Sequence, residues 1–304
     1  MTRQTIAITG ATGFIGRVVV RQLLEHGRQV VALVRETSPR DVLGEHPALS
    51  FVEYEDLDST ELADVLREHA PDAFLHAGWA GVSGGARRQV DQVGINVHAT
   101  RSSVELASAA GCQRWVGVGS QAEYGASDAV LDEQSPLKPA SSYARAKVQA
   151  AESAREAAAM FGLPIAWARL FSVYGPGDHH TAVVPTTIRA LLDGSDPQLG
   201  ACAQDWDLLY VEDAAAALVA LLDSDVSGDF NVASGLQQPL RESLELIAEL
   251  LDRPGALTFA APTSKEPAPL RAHSAKLQSL TGWAPTTSLR DGLAATLESH
   301  GAAV

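Results

Sequence analysis

The chain has 304 residues, of which 46% are hydrophobic, so it can bury a sizeable core in one large domain or two modest ones. Lys and Arg total 23 against 37 Asp and Glu, which gives a formal charge of −14, and no long basic run offsets this balance. This charge argues against a nucleic-acid groove or an anionic membrane surface as a partner.

The cysteines and the N-terminus bear on compartment and metal content. Cys112 and Cys202 are the only cysteines, and they lack metal-ligand spacing, which predicts a reducing compartment and no bound metal. The N-terminus is too short in apolar length for a signal peptide, and no window approaches about 18 uninterrupted apolar residues. We therefore expect a cytoplasmic protein.

Apolar, β-prone runs alternate with helix-periodic segments up to residue 170. The predicted strands are TIAIT, QVVALV, LSFVEY, DAFLHA, RWVGVG and PIAWARL, and the predicted helices are 14–26, 59–69, 87–110 and 141–161. This alternation predicts an α/β fold, a Rossmann-like doubly wound parallel sheet with helices on both faces. Near-continuous hydrophobic strands are typical of a sheet that is buried on both sides.

The pattern changes after Leu170, where loops rich in glycine and proline follow. A helix at 212–224 and the run DFNVA are predicted to return to the sheet, and two more helices are predicted around the loop AAPTSKEPAPLR. We therefore predict a Rossmann domain at 1–170 with a return segment near 207–235. A smaller, discontinuous C-terminal substrate lobe is predicted at 171–206 and 236–304.

The stretch TGATGFIG directly follows the first strand and opens the first helix. In a dinucleotide site the first glycine allows a tight turn, the second lets the backbone reach the pyrophosphate, and the third permits close helix packing. The N–H groups of the helix N-terminus hold the anion. The position of this motif therefore predicts a dinucleotide cofactor bound by Gly10, Thr12, Gly13, Phe14, Ile15 and Gly16.

The second strand ends in VALVR, so Arg35 occupies the position where an acidic residue would bind a ribose 2′-hydroxyl. A guanidinium can pair with a 2′-phosphate that a carboxylate would repel, which favours NADP(H) over NAD(H). A solvated loop charge is the alternative. Asp56, just past the third strand, is a candidate to accept a hydrogen bond from the adenine amino group, or else to cap a helix.

The stretch SSYARAK places Tyr143 and Lys147 four residues apart at the start of a helix, so both side chains share one face. An ammonium near a phenol stabilises the phenolate, so Tyr143 can give a proton to a carbonyl. Ser120 ends the fifth strand, where open α/β sheets collect ligands. We predict Ser120, Tyr143 and Lys147 as the catalytic residues.

These motifs resemble the extended short-chain dehydrogenase/reductase family, in its nucleotide-sugar-modifying group, which is epimerase/dehydratase-like. The resemblance covers nearly the whole chain in the family's order: TGATGFIG, DL at 56, HAG at 76, NVHAT at 96, Ser120, YARAK, LFSVYGPGD, YVEDAAAA, FNVASG and LTGWAPTTSLRDGL. It implies that Lys147 also binds the nicotinamide ribose, that Ser120 orients the substrate carbonyl, and that the loop at 171–178 borders the nicotinamide. We also place Leu57, His76, Ala77 and Gly78 in the cofactor site, and we expect a homodimer.

The stretch GSQAEYG narrows the reaction. Where 4,6-dehydratases of this group carry an acidic pair, this chain has Gln121 and Ala122, neither of which is a general acid or base. In epimerase-reductases that resemble GDP-fucose synthase, a cysteine stands at the position of Ala122. Dehydration and epimerisation at C3 or C5 are therefore disfavoured. Hydride transfer at a ketone and 4-epimerisation by transient oxidation both remain.

A net reductase draws on the NADPH pool, so Arg35 favours reduction. The residues in GSQAEYG and QDWDLLYVED are most similar to those of a 4-ketoreductase branch. That branch includes CDP-abequose and CDP-paratose synthases and deoxysugar reductases of antibiotic pathways. We predict reduction of the 4-keto group of a nucleotide-activated 4-keto-6-deoxyhexose. The alternatives are a nucleotide-sugar 4-epimerase with tightly bound NAD, a reductase of another ketone, and a non-catalytic NADP-sensing protein.

The residues that hold the nucleotide-diphosphate sugar are less sharply defined. Trp206 stands where many relatives have an arginine, so the diphosphate contact is predicted to pass to Arg189 or Arg271. The other candidates for substrate contact are Gln121, Glu123, His179 and His180. Glu123 has an alternative role in holding its loop, and the two histidines have an alternative as solvated loop residues.

Overall fold

In a computed structural model, which describes residues 4–81, 92–263 and 267–302, seven strands form one sheet. They are β1 (Thr5–Thr9), β2 (Gln29–Val34), β3 (Leu49–Glu53), β4 (Ala73–His76), β5 (Arg114–Ser120), β6 (Ile165–Leu170) and β9 (Gly228–Val232). All neighbours pair in parallel, in the order β3-β2-β1-β4-β5-β6-β9. The predicted doubly wound α/β fold is confirmed, and its strand order reverses between β1 and β4.

Nine helices lie in the described ranges. They are α1 (Phe14–Glu25), α2 (Thr60–Glu68), α3 (Gln92–Ala109), α4 (Ser142–Phe161), α5 (Val183–Asp193), α6 (Val211–Asp223), α7 (Leu240–Leu250), α8 (Ala275–Thr281) and α9 (Leu289–Ser299). The helices predicted at 14–26, 59–69, 141–161 and 212–224 are confirmed to within a residue at each end. The helix predicted at 87–110 is confirmed over 92–109, and its first residues, 87–91, lie outside the described ranges. None of the helices so described is long and apolar enough to cross a membrane.

The core lies on both faces of the sheet because successive strand residues point to opposite sides. In β1, Ile6 and Ile8 belong to the cluster that α1 and α6 cover, whereas Ala7 belongs to the cluster under α2, α3 and α4. All three side chains are fully buried. This two-sided burial explains why the strands read as continuous apolar runs.

The segment after Leu170 builds a third apolar cluster, in which Ile188 of α5, Leu244 of α7 and Leu293 of α9 are fully buried. A short parallel pair, β7 (Val173–Tyr174) and β8 (Leu209–Tyr210), lies beside it. The prediction of two helices after Leu236 was wrong, since α7, α8 and α9 are all described there. The seven residues of α8 are too few to show a helical period.

Candidate active site

The glycine-rich loop joins β1 to α1 at the reversal of strand order. Gly10 has a φ of +71°, and a Cβ there would lie 2.6 Å from the backbone carbon of Ala77, so only glycine fits between the ends of β1 and β4. A Cβ on Gly16 would lie 2.0 Å from the carbonyl oxygen of Gly10, which shows how closely α1 approaches the turn. Gly13 is the N-cap residue, so the N–H groups of Phe14 and Ile15 open the helix.

A cavity of about 360 Å³ opens beside this loop. Seven of the predicted cofactor residues line it: Gly10, Thr12, Arg35, Asp56, Leu57, His76 and Gly78. Ser38, Trp79 and Asn96, which the motif reasoning did not select, line it as well. The structure therefore brings together residues from the ends of β1, β2, β3 and β4, as expected at a switch point.

At one end of this cavity lies Arg35, which is exposed. Its guanidinium carbon lies 6.0 Å from the ring centroid of Tyr54, and its backbone N–H donates to the Ser38 hydroxyl at 3.0 Å. Asp56 is exposed nearby. The N-cap of α2 is Ser59, whose hydroxyl accepts from the backbone N–H of Leu62, so Asp56 is not the cap of this helix.

Buried at the end of β4, His76 supports the floor of the cavity. Its Nδ1 lies 2.8 Å from the Thr9 hydroxyl, and its Nε2 lies 3.4 Å from the Thr100 hydroxyl. Burial, and secondarily the positive charge of Lys147, lower the pKa of His76 to about 3. The imidazole is therefore neutral at ordinary pH and joins β4 to β1.

Helix α4 presents Tyr143 and Lys147. It begins after Ser141, whose hydroxyl accepts from the backbone N–H of Ala144 at 3.1 Å. Tyr143 is 9% exposed and Lys147 is 4% exposed. The Lys147 Nζ lies 5.9 Å from the Tyr143 ring centroid and donates to the carbonyl oxygen of Val118 at 2.6 Å. Since Val118 lies two residues before Ser120, this bond brings the α4 pair to the end of β5.

Ser120 begins a tight 3₁₀ turn over Gln121–Glu123. The Ser120 hydroxyl accepts from the backbone N–H of Ala122 at 3.2 Å, which leaves its own hydrogen to donate. Gln121 is half-buried in the same turn. The catalytic roles of Ser120, Tyr143 and Lys147 remain predictions.

Glu123 lies inside the protein rather than at the substrate surface. It is 0% exposed, and its carboxylate accepts from the Ser120 backbone N–H at 2.9 Å. It also accepts from the Trp167 indole N–H at 3.0 Å and forms a 2.7 Å ion pair with Arg169. This burial corrects the prediction that Glu123 contacts substrate. The side chain instead holds the turn that carries Ser120.

Two stacked tryptophans, Trp115 of β5 and Trp167 of β6, have ring centroids 6.2 Å apart and planes 12° from parallel. Glycines in β5 leave room for them. A Cβ on Gly117 would lie 2.3 Å from Trp115, and a Cβ on Gly119 would lie 2.3 Å from Trp167 and 2.7 Å from the Glu123 carboxylate. The strand that ends at Ser120 is therefore fitted to these rings.

The predicted substrate loop after β7 is exposed. The rings of His179 and His180 stack with centroids 4.3 Å apart, and the His179 Nδ1 lies 2.9 Å from the Thr181 hydroxyl. The guanidinium of Arg189 donates to the His180 carbonyl. These three predicted residues thus form one group on the surface.

Trp206 and Arg271 lie on a second side. The Trp206 indole N–H donates to the Ser172 hydroxyl at 2.8 Å, so this half-buried ring lies against the loop at 171–178. Arg271 donates to the Asp128 carbonyl and lies 3.6 Å from the Asp205 carboxylate. No contact joins Arg271 to Arg189 among the described residues. Their diphosphate roles remain predictions.

Two further residues, Arg17 and Asp207, join segments of the site that are far apart in the sequence. The Arg17 guanidinium of α1 donates to the Pro176 carbonyl at 2.8 Å, which ties the cofactor helix to the loop at 171–178. Asp207, next to Trp206, is buried and accepts from the backbone N–H groups of Ser234 and Gly235. No motif pointed to either residue, because each acts on a partner distant in sequence. Among the described residues, no group of three His, Cys, Asp or Glu side chains is placed to hold a metal ion.

Comparison with known proteins identifies the family. Residues 6–233 match the model described as the NAD dependent epimerase/dehydratase family. The chain is 30% identical to a UDP-glucose 4-epimerase of Mycolicibacterium smegmatis, covering 96% of each chain. It is 26% identical to a dTDP-glucose 4,6-dehydratase of Neisseria gonorrhoeae, covering 97% of this chain and 95% of that one.

Solved structures agree with this result. The structure of MoeE5 in complex with UDP-glucuronic acid and NAD matches with a TM-score of 0.84 and 28% identity, covering 98% of this chain and 99% of that one. A UDP-N-acetylglucosamine 4-epimerase from Methanobrevibacter ruminantium, 23% identical, shares the fold with a TM-score of 0.88 and covers 99% of both chains. The chain therefore belongs to the NAD dependent epimerase/dehydratase family, a group of short-chain dehydrogenase/reductase enzymes that act on nucleotide sugars.

Proposed function

We propose that this enzyme uses NADPH to reduce the 4-keto group of a nucleotide-activated 4-keto-6-deoxyhexose. The observation that carries this proposal is the turn after β5. It presents Ser120 and then Gln121 and Ala122, so positions 121 and 122 offer the Tyr143–Lys147 pair neither an acid nor a thiol. Ser120, Tyr143 and Lys147 are the groups that hydride transfer at a ketone needs, whereas dehydration needs a general acid and base that Gln121 and Ala122 cannot supply.

A bound NADPH would supply the hydride that reduces C4. The chain's own residues then manage the charge on the ketone oxygen. Tyr143 donates a proton as that charge forms, and the free hydrogen of the Ser120 hydroxyl gives a second hydrogen bond. The Lys147 ammonium stabilises the phenolate that remains, and its effect is strengthened because both side chains are nearly buried.

The preference for NADP(H) rests on Arg35. Its exposed guanidinium and the Ser38 hydroxyl lie at the same end of the cavity, where a 2′-phosphate could pair with both. The substrate would lie between the carboxyl ends of the strands and the segments 171–206 and 236–304. There Trp206, the His179–His180 loop, Arg189 and Arg271 are the proposed contacts. We also propose a cytoplasmic homodimer.

A second candidate is a nucleotide-sugar 4-epimerase with tightly bound NAD. One observation favours it: the relative at 30% identity is named a UDP-glucose 4-epimerase, and the solved structure at 28% identity contains NAD. The same three residues would serve, because 4-epimerisation oxidises and then reduces one carbon. The two candidates differ in whether the cofactor leaves at each turnover.

The deciding experiment is single-turnover oxidation of NADPH by the purified protein with a 4-keto-6-deoxy nucleotide sugar. The reductase proposal expects stoichiometric loss of NADPH absorbance and no cofactor carried through purification. Protein that retains NAD and interconverts UDP-glucose and UDP-galactose without net oxidation would instead establish the epimerase.

The identity of positions 121 and 122, neither of which is an acid, has its own test. Incubation with a nucleotide 6-hydroxyhexose, with or without NAD, should give no elimination product, because Gln121 and Ala122 cannot move the required protons. Formation of a 4-keto-6-deoxy sugar would contradict this interpretation of the turn.

A further inference from the structure

We propose that Trp79 is a positioning residue that holds the Lys147 ammonium beside Tyr143. This inference rests on the proposed role of the Tyr143–Lys147 pair, and it applies equally to a reductase and to an epimerase. Trp79 follows β4 and was not selected by any motif. It acts through Lys147 and not on the substrate.

The contact between Trp79 and Lys147 is close. The Lys147 Nζ lies 3.5 Å from the Trp79 ring centroid, well inside the range of a cation–π interaction. The Trp79 ring also meets the Tyr143 ring edge-on, with centroids 5.9 Å apart and planes at 76°. One indole therefore touches both members of the pair.

The backbone around Trp79 is fixed on both sides. The Gly78 N–H donates to the Thr9 hydroxyl at 3.3 Å. The Asn96 side chain accepts from the Ala80 N–H at 2.8 Å and donates to the Ala80 carbonyl at 3.1 Å. These contacts hold the residues before and after Trp79 to β1 and α3, so its half-buried ring has little freedom to leave Lys147.

The indole N–H of Trp79 is buried and has no hydrogen-bond partner among the described residues. The interactions of this ring with Lys147 and Tyr143 therefore involve its π system and not its N–H group.

Among the described residues, two neutral groups contact the Lys147 ammonium. The Val118 carbonyl accepts from Nζ on one side, and the face of Trp79 covers another. A carbonyl dipole and a ring quadrupole attract the ammonium without cancelling its charge, so that charge can act on the Tyr143 phenol. His76, whose pKa Lys147 also affects, is neutral because burial lowers that pKa to about 3.

The test is an absorbance titration of the Tyr143 phenol near the phenolate band, which needs no sugar substrate. The chain has five tyrosines, so subtracting the titration of Tyr143→Phe isolates the one of interest. Burial raises the pKa of Tyr124 to about 12 and also raises that of Tyr174, which separates them further. The titration is repeated in Trp79→Leu and Trp79→Phe, each with and without Lys147→Met.

In Trp79→Leu we expect the Tyr143 transition to move to higher pH by about 0.5 or more, because Lys147 is no longer held beside the phenol. Trp79→Phe keeps a smaller aromatic face and should move it about half as far, and this variant decides the matter if Trp79→Leu does not fold. In the Lys147→Met background neither change at Trp79 should move the transition further.

Two results would overturn the proposal. One is a Tyr143 transition that is unchanged in Trp79→Leu and Trp79→Phe. The other is an equal displacement in the Lys147→Met background, which would mean that Trp79 acts on Tyr143 directly. Failure to turn over any nucleotide sugar would contradict the proposed function but would leave this titration intact.

Discussion

The cofactor side and the substrate side of this site are built differently. The cofactor side consists of strand ends and a helix start, where Gly10 and the N-terminus of α1 are held by a fully buried sheet. The proposed substrate side includes the exposed loop residues His179 and His180, together with Arg189, which is half-buried on α5. A site of this kind keeps its chemistry on a rigid frame and leaves recognition to segments that can vary.

The largest expected effect comes from removing one oxygen atom at the junction of the two sides. Tyr143→Phe should lower turnover by about 10²–10⁴-fold, because a general acid is lost while the ring's packing is kept. Cofactor affinity, measured by fluorescence titration, should be unchanged. Lys147→Met should lower both turnover and cofactor affinity. A Tyr143→Phe enzyme that oxidises NADPH at the wild-type rate would show that the proton comes from elsewhere.

A stability measurement can sharpen the contrast by comparing a buried ion pair with an exposed one. Glu123→Ala should lower the free energy of unfolding by about 3 kcal/mol, because the buried Arg169 then keeps only Asp229 as a charged partner. The matched control is Glu249→Ala, which removes an exposed carboxylate 3.6 Å from Arg290 and should cost about 0–1 kcal/mol. Urea denaturation measures both. Equal losses of unfolding free energy in the two variants would mean that the buried ion pair stabilises the protein no more than the exposed one.

Asp207, at the boundary between the two sides, should make the free energy of unfolding depend on pH. Burial raises the pKa of Asp207 to about 6, so the folded state binds this proton more tightly than the unfolded chain does. Its contribution to stability is present at low pH and is lost as pH rises from about 4 to about 6, by about 3 kcal/mol at most. Asp207→Asn should not show this loss. The difference in unfolding free energy between the wild-type protein and Asp207→Asn, plotted against pH, should therefore change over this range. Parallel profiles would contradict the prediction.

The smallest expected effect tests the cofactor side alone. Arg35→Asp should weaken NADPH binding by about 1.5–3 kcal/mol and spare NADH, because only NADPH carries the 2′-phosphate. Arg40→Asp changes the same charge at a nearby exposed residue paired with Glu53 and should affect neither cofactor. Isothermal titration with both cofactors measures this. An equal loss for NADPH and NADH would remove the basis for preferring NADP(H).

The same contrast explains what the sequence could predict. The strands, the glycine turn and the shared face of Tyr143 and Lys147 follow from patterns a few residues long, and they are found as expected. The two alternatives for Glu123, substrate contact and holding its loop, could not be separated because its partners, Trp167 and Arg169, lie more than forty positions away in the chain. No local pattern contains such a partner.

The lobe was harder to predict for a related reason. Its position depends on isolated bridges such as Leu131 with Ala272 and Trp206 with Leu270, which join segments far apart in sequence. The pair β7 and β8 has only two residues in each strand, too few for an alternating pattern. The contact of Trp79 with Lys147 likewise joins a strand end to a helix that begins about sixty residues later.

The fit between β5 and its tryptophans restricts the evolutionary paths open to this sequence. A larger residue at Gly119 would collide with Trp167 and with Glu123, whereas a smaller residue at Trp167 would leave a void and remove one hydrogen-bond donor from the Glu123 carboxylate. Each single change is therefore disfavoured until its neighbours have changed. Across natural variants, we expect Gly119, Glu123 and Trp167 to be inherited or replaced as a set, so that the identity of one forecasts the other two.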